Sequence, residues 1–274
     1  MDMIRIDNLK IMAHHGVLKE EKIHGQDFFL SAKLYVDARK AGRTDNLAHA
    51  LDYADVSHFL KERFTRQSFN LIEAACEDCC EALLLHYDML QEVELTVSKP
   101  HAPIGLPFDN VSVTMTRKWH RVYLAIGSNM GDRKAYLLNG LEEVSNHPLI
   151  KNAKCSSIFE TKPYGYTEQD MFLNGCIAID TLLKEEELLT FLHQVEQHAG
   201  RERTVIWGPR TLDLDIIFYD REEYESKDLV IPHVEMQNRL FVLKPLEELC
   251  PNYRHPILGK TVRELLKEQE RKEA

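Results

Sequence analysis

Residues 212–218 restrict the fold of this chain more than any other segment, because apolar side chains recur there at every second position. Side chains alternate between the two faces of a β-strand. The apolar residues are therefore predicted to share one face: Leu212, Leu214, Ile216 and Phe218. Asp213 and Asp215 then point together from the opposite face. The segment predicts a strand with one apolar face and a pair of carboxylates on the other.

Two carboxylates this close on one strand face form a candidate metal site. Hard oxygen ligands suit Mg²⁺, which binds one or two carboxylates and takes its other ligands from water and substrate phosphates. Arginine grips phosphate oxygens with two parallel hydrogen bonds, and basic residues gather around the pair: Arg201, Arg203, Arg210, His233 and Arg239. A solvated strand face is the alternative for an isolated Asp-x-Asp. The basic surroundings favour a nucleotide.

Two segments similar to phosphate motifs do not meet the spacing of those motifs. Residues 259–261 (Gly-Lys-Thr) are similar to the end of a P-loop, but Arg254 replaces the earlier glycine and Pro256 interrupts the loop. Residues 127–131 lack the Gly-x-Gly-x-x-Gly spacing of a dinucleotide fold and predict a tight turn before a helix. Neither segment is interpreted as a nucleotide cradle by itself.

The length of 274 residues, 44% of them hydrophobic, predicts two domains. Residues 111–115 alternate as a closing strand, a basic segment follows, and residues 122–126 open a new strand. We place the boundary near His120, with domains at 1–119 and 120–274. No Gly/Ser/Pro-rich linker separates them, which predicts limited independent motion.

Composition excludes several classes of protein. A net charge of −10 argues against nucleic-acid binding. No run approaches the roughly 18 apolar residues of a membrane span, and the first residues lack an apolar signal core. We therefore expect a soluble, cytoplasmic protein. Cys76, Cys79 and Cys80 suggest zinc or redox chemistry, but no second ligand pair follows at finger spacing, and we interpret them as small buried hydrophobes.

The first 119 residues read as strand, strand, helix, helix, strand, strand, from period-two and helical spacing of apolar residues. Four polar residues lie at the ends of these elements: Glu21, Tyr53, Glu73 and Lys99. Each has an ordinary explanation in isolation. The Lys-Pro pair at 99–100 suits an exposed turn, and Glu73 suits the first turn of a helix.

Residues 207–218 closely resemble the signature of the 6-hydroxymethyl-7,8-dihydropterin pyrophosphokinase family. Further matches follow in the family's order, at residues 123–132, 160–165, 172–174, 231–233 and 238–241. The resemblance extends through residues 122–265 and implies a ferredoxin-like α/β sandwich that transfers the β,γ-pyrophosphate of ATP onto a pterin. Residues 201–206 depart slightly, with apolar residues before Trp207 where the family often shows charge.

This resemblance implies roles for individual residues of the second domain. Two Mg²⁺ ions bound with ATP are expected on Asp213 and Asp215, and Arg201 and Arg210 are expected to neutralise developing charge as catalytic residues. ATP contacts are expected from Glu196, Arg201, Arg203, Ile216, His233 and Arg239. Pterin contacts are expected from Thr161, Tyr164, Asn174, Trp207 and Phe241.

The four polar positions of the first domain, taken together, resemble the dihydroneopterin aldolase family over nearly all of residues 1–118. Residues 25–26 and 41–46 match as well, and a tunnelling fold is implied. Retro-aldol cleavage needs a base for a side-chain hydroxyl proton and an electron sink, which the dihydropterin ring itself supplies. No metal or other cofactor is therefore expected in this domain.

Residue chemistry suggests how the aldolase roles divide. Lys99 with Tyr53 is interpreted as the proton-transfer pair, and Glu21 as positioning water or substrate hydroxyls. Glu73, beside Ile72, is interpreted as the pterin ligand, because a carboxylate can accept two parallel hydrogen bonds. Exposed sheet edges need covering, so a homo-oligomer, tetramer or octamer, is expected. Resemblance implies that Tyr53 meets Glu73 and Lys99 of a neighbouring chain.

The sequence thus predicts an α+β chain with two consecutive activities, in which the aldolase product 6-hydroxymethyl-7,8-dihydropterin is the substrate of the pyrophosphokinase. The expected partners are dihydroneopterin, this product and ATP, without nucleic acid or membrane. A catalytically silent, pterin-binding or oligomerising first domain is the alternative. An unrelated nucleotide hydrolase conflicts with the absent P-loop. No third catalytic domain is expected after residue 265.

Overall fold

The computed structural model describes residues 1–164, 168–201 and 208–273. The chain divides into two compact units, Met1–Trp119 and His120–Ala274. Here they are called the front unit and the back unit. None of the described helices combines the length and the apolar character that a membrane crossing requires.

The front unit is one antiparallel sheet whose strands lie in chain order. The strands are β1 (Asp2–Ala13), β2 (Gln26–Val36), β3 (Glu92–Lys99) and β4 (Val111–Lys118). The helices are α1 (Lys19–His24), α2 (Arg39–Thr44), α3 (Tyr53–Thr65) and α4 (Ile72–His86), with a 3₁₀ turn at Leu47–His49. The predicted order of two strands, two helices and two strands is confirmed, and α1 and α2 are short additions to it.

The front core follows from the period-two pattern of the strands. Every second residue of β2 and β3 is buried, and α3 and α4 cover that face of the sheet with helical-spaced apolar residues. The other face carries polar pairs, such as Lys33 with Glu94 at 2.7 Å. Cys76, Cys79 and Cys80 are free thiols buried in α4, as the sequence predicts.

The back unit has a sheet of five antiparallel strands in the order β6-β8-β5-β9, with β7 also paired to β8. The main strands are β5 (His120–Ser128), β6 (Ile150–Cys155), β7 (Phe159–Thr161), β8 (Phe172–Thr181) and β9 (Asp213–Tyr219). A hairpin of β10 (Tyr224–Glu225) and β11 (Val230–Ile231) follows. The helices are α5 (Arg133–Ser145), α6 (Glu185–His198), α7 (Leu240–Leu249) and α8 (Val262–Glu273), with a 3₁₀ turn at Met236–Asn238.

Helices cover both faces of the back sheet. The order β5-α5-β6-β8-α6-β9, with β5 and β8 in the centre, is the predicted ferredoxin-like arrangement. Apolar residues of α5 and α6 share one core cluster with Leu124, Leu214 and Ile216. Residues of α7 and α8 share a second cluster with Tyr123 and Cys176 on the opposite face. The sheet therefore has a packed layer on each side.

The alternation of β9 is interrupted by one residue. Tyr123 pairs with Phe218 whereas Leu124 pairs with Ile216, so Ile217 is an extra residue in the strand. Phe218 consequently packs in the second cluster, opposite Leu214. The prediction that Phe218 shares a face with Leu212, Leu214 and Ile216 is wrong, because a β-bulge shifts every side chain beyond it to the other face.

Candidate active sites

Asp213 and Asp215 lie side by side at the start of β9, opposite Gly127 and Ala125 of β5. The alternation before the bulge buries Leu212, Leu214 and Ile216 against α5 and α6 and turns both carboxylates to the other face. There they line a cavity of about 910 Å³ in the back unit. A cavity of this size accommodates a nucleotide-sized ligand.

Most of the predicted back-unit residues converge on this cavity. Its lining includes Tyr164, Asn174, Glu196, Arg201, Arg210, Asp213, Asp215, Ile216, His233, Arg239 and Phe241. Thr161 is joined to it, because Nδ2 of Asn174 donates a hydrogen bond to the Thr161 hydroxyl at 2.7 Å. Arg203 and Trp207 lie outside the described residues. The cavity brings together positions from five separate segments of the sequence.

Two arginines hold Asp213 in place. Its Oδ1 lies 2.7 Å from Nη1 of Arg201, and its Oδ2 lies 2.7 Å from Nη1 of Arg210. Glu196 is 2% exposed, pairs with Arg201, and accepts a hydrogen bond from the Leu214 backbone N–H at 2.9 Å. Glu196 is therefore placed to orient Arg201.

The electrostatics of Asp215 suit a divalent cation. Burial, followed by the nearby Asp213 and Glu196 carboxylates, raises the pKa of Asp215 to about 7. A cation between the two aspartates would relieve this repulsion, so the donor set fits Mg²⁺. His233 remains neutral at physiological pH, since burial and then the Arg239 guanidinium lower its pKa to about 4.

Two arginines of the cavity each have one buried nitrogen with no acceptor in the described part of the chain. Nε of Arg210 and Nε of Arg239 are inaccessible to solvent and have no hydrogen-bond acceptor among residues 1–164, 168–201 and 208–273. Buried donors are nearly always paired in folded proteins, since an unpaired one costs roughly 1–3 kcal/mol. Both residues line the cavity. The guanidinium groups of both residues are therefore placed to bind an anionic ligand in the cavity.

Aromatic rings line the other end of the cavity. The rings of Tyr164 and Phe241 have centroids 6.0 Å apart, and the Arg239 guanidinium lies 5.7 Å and 5.8 Å from them. A Cβ at Gly127 would lie 2.6 Å from Oδ1 of Asn174, so glycine leaves space for this amide. Flat rings beside an amide and a hydroxyl suit a flat heterocycle with polar edges.

Sequence reasoning used residues 127–131 as a predicted turn and as part of the family resemblance, but it missed the role of Asn129. Its side chain, 2% exposed, accepts from the Arg210 backbone N–H at 2.8 Å. Its amide donates to Gln169 and to the Asp170 carbonyl, at 3.1 Å and 3.3 Å. Asn129 therefore fixes the loop that presents Arg210. The only signal in the sequence is a lone Asn in a Gly-Ser-Asn turn.

A buried ion pair occupies the front unit. Nζ of Lys99, the last residue of β3, lies 2.5 Å from Oε1 of Glu21 in α1. Oε2 of Glu21 accepts from the Leu18 backbone N–H at 3.1 Å, and Oε1 also accepts from the Gln26 amide at 3.2 Å. Burial raises the pKa of Glu21, but Lys99 and the other donors outweigh it, so the pKa lies below its ordinary value.

The backbone near this ion pair leaves room for the Glu21 carboxylate. Gly16 has a φ of 148°, and a Cβ there would overlap the Glu21 carboxylate. His15 is 1% exposed; its Nε2 lies 2.9 Å from the Phe64 carbonyl, and its Nδ1 accepts from the Phe69 N–H at 3.1 Å. These bonds tie the end of β1 to the loop before α4. Sequence reasoning missed this role of His15.

The remaining predicted front residues are more accessible. Tyr53, at the start of α3, is 66% exposed, and Glu73, in the first turn of α4, is also exposed. Ile72 is buried at the start of the same helix. The described front unit therefore joins Glu21 to Lys99 but leaves Tyr53 and Glu73 on its surface. Oε1 of Gln26, beside the ion pair, is buried without a donor among the described residues.

Comparisons with known proteins match each unit to a different family. Residues 123–251 match the family model "7,8-dihydro-6-hydroxymethylpterin-pyrophosphokinase", and residues 4–116 match "dihydroneopterin aldolase". A 2-amino-4-hydroxy-6-hydroxymethyldihydropteridine pyrophosphokinase of Bacillus subtilis is 48% identical over 128 residues, which are 47% of this chain and 77% of that protein.

Two longer relatives are similar over different shares of the chain. The bifunctional protein FolKE of Lactococcus lactis subsp. cremoris is 47% identical over 49% of this chain. The folic acid synthesis protein FOL1 of Dictyostelium discoideum is 31% identical over 94% of it. The chain spans 40% of the first protein and 43% of the second.

Proposed function

Because the chain belongs to the 7,8-dihydro-6-hydroxymethylpterin-pyrophosphokinase family, and its residues 4–116 match the dihydroneopterin aldolase family, we propose that it catalyses two consecutive steps of folate biosynthesis. The front unit cleaves 7,8-dihydroneopterin into glycolaldehyde and 6-hydroxymethyl-7,8-dihydropterin. The back unit transfers pyrophosphate from ATP to the new hydroxymethyl group and releases AMP.

The observation that carries the pyrophosphokinase proposal is that the Arg210 and Arg239 guanidinium groups line the same cavity as the Asp213 and Asp215 carboxylates. Guanidinium donors suit phosphate oxygens, and a carboxylate pair suits the cations that accompany them. The two kinds of group lie in one cavity with a flat aromatic end. ATP phosphates and a pterin are the ligands that satisfy all three.

In the transfer step, the hydroxymethyl oxygen attacks the β-phosphorus and loses its proton to solvent, while the bond from that phosphorus to the α,β-bridging oxygen breaks and AMP leaves. Asp213 and Asp215 would hold two Mg²⁺ ions, which would supply charge neutralisation for the phosphate oxygens. Arg201 and Arg210 stabilise the charge that develops, and Arg239 and His233 orient the nucleotide. Asn174 and Thr161 bond the pterin edge beside Tyr164 and Phe241. Positioning and electrostatics supply most of the acceleration.

In the front unit, a base removes the proton of the hydroxyl on the second side-chain carbon of the substrate. The bond between the first and second side-chain carbons breaks, and its electron pair enters the imine of the dihydropterin ring; reprotonation gives the product. Lys99 with Tyr53 carries these protons, and Glu21 sets the position of Lys99 through their 2.5 Å contact. Glu73, beside Ile72, binds the pterin amino group and ring N–H.

The exposure of Tyr53 and Glu73 supports a pocket shared between chains. In the front sheet β1 and β4 each have a single partner strand, and open edges of this kind are usually covered by another chain. We place Tyr53 of one chain opposite Glu73 and Lys99 of its neighbour in a homo-oligomer, a tetramer or an octamer.

One incubation with dihydroneopterin, ATP and Mg²⁺, in which glycolaldehyde and AMP are measured separately, tests both activities. Release of AMP rather than ADP identifies pyrophosphoryl transfer. A front unit that only binds pterin or assembles the oligomer is the alternative, and it would yield AMP from supplied 6-hydroxymethyl-7,8-dihydropterin but no glycolaldehyde. The buried Glu21–Lys99 pair supports the catalytic version, because an oligomerisation domain has no need of a buried ion pair.

A further inference from the structure

Both carboxylate oxygens of Asp213 are paired with guanidinium groups in this structure. Arg201 approaches Oδ1 and Arg210 approaches Oδ2, each at 2.7 Å. The three side chains are mostly buried, with 15–19% of their surface exposed. A cation that binds Asp213 must therefore displace a guanidinium or remain within a few ångströms of one, and like charges at that range repel strongly.

The two arginines are built into the fold. Arg201 also pairs with the buried Glu196. The Arg210 backbone exchanges hydrogen bonds with Asn129 in both directions, and its guanidinium lies 5.8 Å from the Phe172 ring. Exposed ion pairs form and break at little cost, whereas these groups are held by buried partners. The positive charges beside Asp213 are therefore a fixed property of the cavity.

Charges around Asp213 balance before any ligand enters. Among the described residues, the charged side chains that line the cavity are equal in number, five cationic and five acidic: Lys162, Arg201, Arg210, Lys227 and Arg239, and Glu186, Glu196, Asp213, Asp215 and Asp228. A free divalent cation would add two positive charges to this balanced set. A polyphosphate would bring oxygens that receive the guanidinium groups in place of Asp213. Asp213 then becomes available to the cation at the moment the phosphates arrive.

We propose that Arg201 and Arg210 are specificity-determining residues that make the site accept a divalent cation only as its complex with a polyphosphate. They act as internal counter-ions of Asp213 until phosphate oxygens replace it. The inference rests on the proposed function of the back unit and adds an exclusion to it: the free cation is rejected. It also implies that the same arginine that strengthens binding of the complex weakens binding of the cation alone.

The test compares Mn²⁺, as a paramagnetic substitute for Mg²⁺, in two states of the full-length chain. Free Mn²⁺ is titrated by its electron paramagnetic resonance signal without nucleotide, and the Mn²⁺ complex of α,β-methylene-ATP is titrated by calorimetry. Arg210→Gln should bind free Mn²⁺ at least about tenfold more tightly than wild type, because one positive charge at ion-pair distance is lost. It should bind the complex at least about tenfold more weakly.

Three further variants complete the experiment. Arg210→Lys keeps the charge and should exclude free Mn²⁺ nearly as well as wild type. Arg201→Gln should repeat the inversion seen for Arg210→Gln. Arg263→Gln, which removes an exposed pair with Glu247 in the same unit, is the matched control and should change neither affinity. A purely structural role predicts weaker binding in both states, so the change of sign separates the two explanations.

Equal or weaker binding of free Mn²⁺ by both Gln variants, with wild-type melting temperatures, would overturn the inference while leaving the pyrophosphokinase proposal intact. Binding of free Mn²⁺ to wild type as tightly as the complex binds would overturn the inference in the same way. Failure of the wild-type chain to bind the complex at all would overturn the proposed function and the inference with it.

Discussion

The cavity of the back unit and the ion pair of the front unit differ in how much of a site one chain supplies. In the back unit, the predicted groups that the structure describes converge on one open cavity. In the front unit, Glu21 and Lys99 are buried together while Tyr53 and Glu73 are exposed. The comparison teaches that one fold gathers its predicted site residues within the chain, whereas the other buries two of them and leaves two on its surface, where the proposed neighbouring chain would meet them.

The two sites also place their carboxylates in opposite electrostatic surroundings. Glu21 faces an ammonium group, and its pKa lies below the ordinary value. Asp215 faces Asp213 and Glu196, and its pKa is raised to about 7. Glu21 already has its counter-ion in the chain, whereas Asp215 lies beside two further carboxylates, an environment that suits a divalent cation.

The largest expected effect separates the two activities. Asp213→Ala or Asp215→Ala should lower AMP formation at least about 10³-fold, because a ligand of Mg²⁺ contributes several kcal/mol to transition-state stabilisation. Glycolaldehyde release by the same protein serves as the internal control and should stay near wild type. Full AMP formation in both variants at saturating Mg²⁺ would contradict the metal assignment.

The reciprocal change is Lys99→Ala. Glycolaldehyde release should fall about 10²- to 10⁴-fold, since a general base is lost, while AMP formation from supplied 6-hydroxymethyl-7,8-dihydropterin is preserved. The matched control is Lys33→Ala, which removes a more exposed ion pair between Lys33 of β2 and Glu94 of β3. This variant should retain aldolase activity. Borohydride should trap no substrate on the wild-type chain. A covalent adduct at Lys99 would replace general-base catalysis by a Schiff-base mechanism.

Complementation tests whether the front site is shared. Tyr53→Ala and Glu73→Ala chains, each inactive as an aldolase, should regain about one quarter of wild-type activity after co-refolding at equal amounts. Random mixing gives that share of interfaces an intact Tyr53 and an intact Glu73. Native mass spectrometry checks that mixed oligomers form. Mixed oligomers without recovered activity would place both residues in the pocket of a single chain.

The smallest effects are opposite shifts in stability with pH. Asp215→Asn should be more stable than wild type above pH 7, and the difference should shrink as the pH falls and vanish below about pH 4. The folded pKa of Asp215 is raised, so its favourable contribution is present at low pH and lost as pH rises through about 7.

Glu21→Gln should show the reverse dependence. Its folded pKa is lowered, so Glu21 stabilises the fold above its unfolded pKa of about 4.3, and this contribution is lost as pH falls through the folded value. The variant should be less stable than wild type at pH 7 and converge on wild type in acid. Urea unfolding from pH 3 to pH 8 measures both variants. If the free energy of unfolding of a variant differs from that of wild type by the same amount at every pH, the direction of the pKa shift assigned to that carboxylate is wrong.

The local pattern of apolar and polar residues was sufficient to predict most of the strands and helices of this molecule. Period-two alternation predicts both sheets and turns Asp213 and Asp215 to one side of β9, since the geometry of a strand depends only on neighbouring residues. It fails at the bulge of β9, where Ile217 moves Phe218 to the other core. Both faces of the strand are apolar there, so no polar residue in the sequence marks the change of face.

Contacts between distant residues were decided only in the folded chain. The identities of Glu21 and Lys99 suggest chemistry, but their 2.5 Å contact requires α1 to meet the end of β3. The hydrogen bond between the Arg210 backbone N–H and the Asn129 side chain also joins distant segments of the sequence. The ion pairs of Arg201 and Arg210 with Asp213 likewise join loops to a strand. Spacing in a sequence determines which residues share a face. Which charged side chains pair with each other depends on how the helices and sheets pack, because packing brings segments that are remote in the sequence within bonding distance.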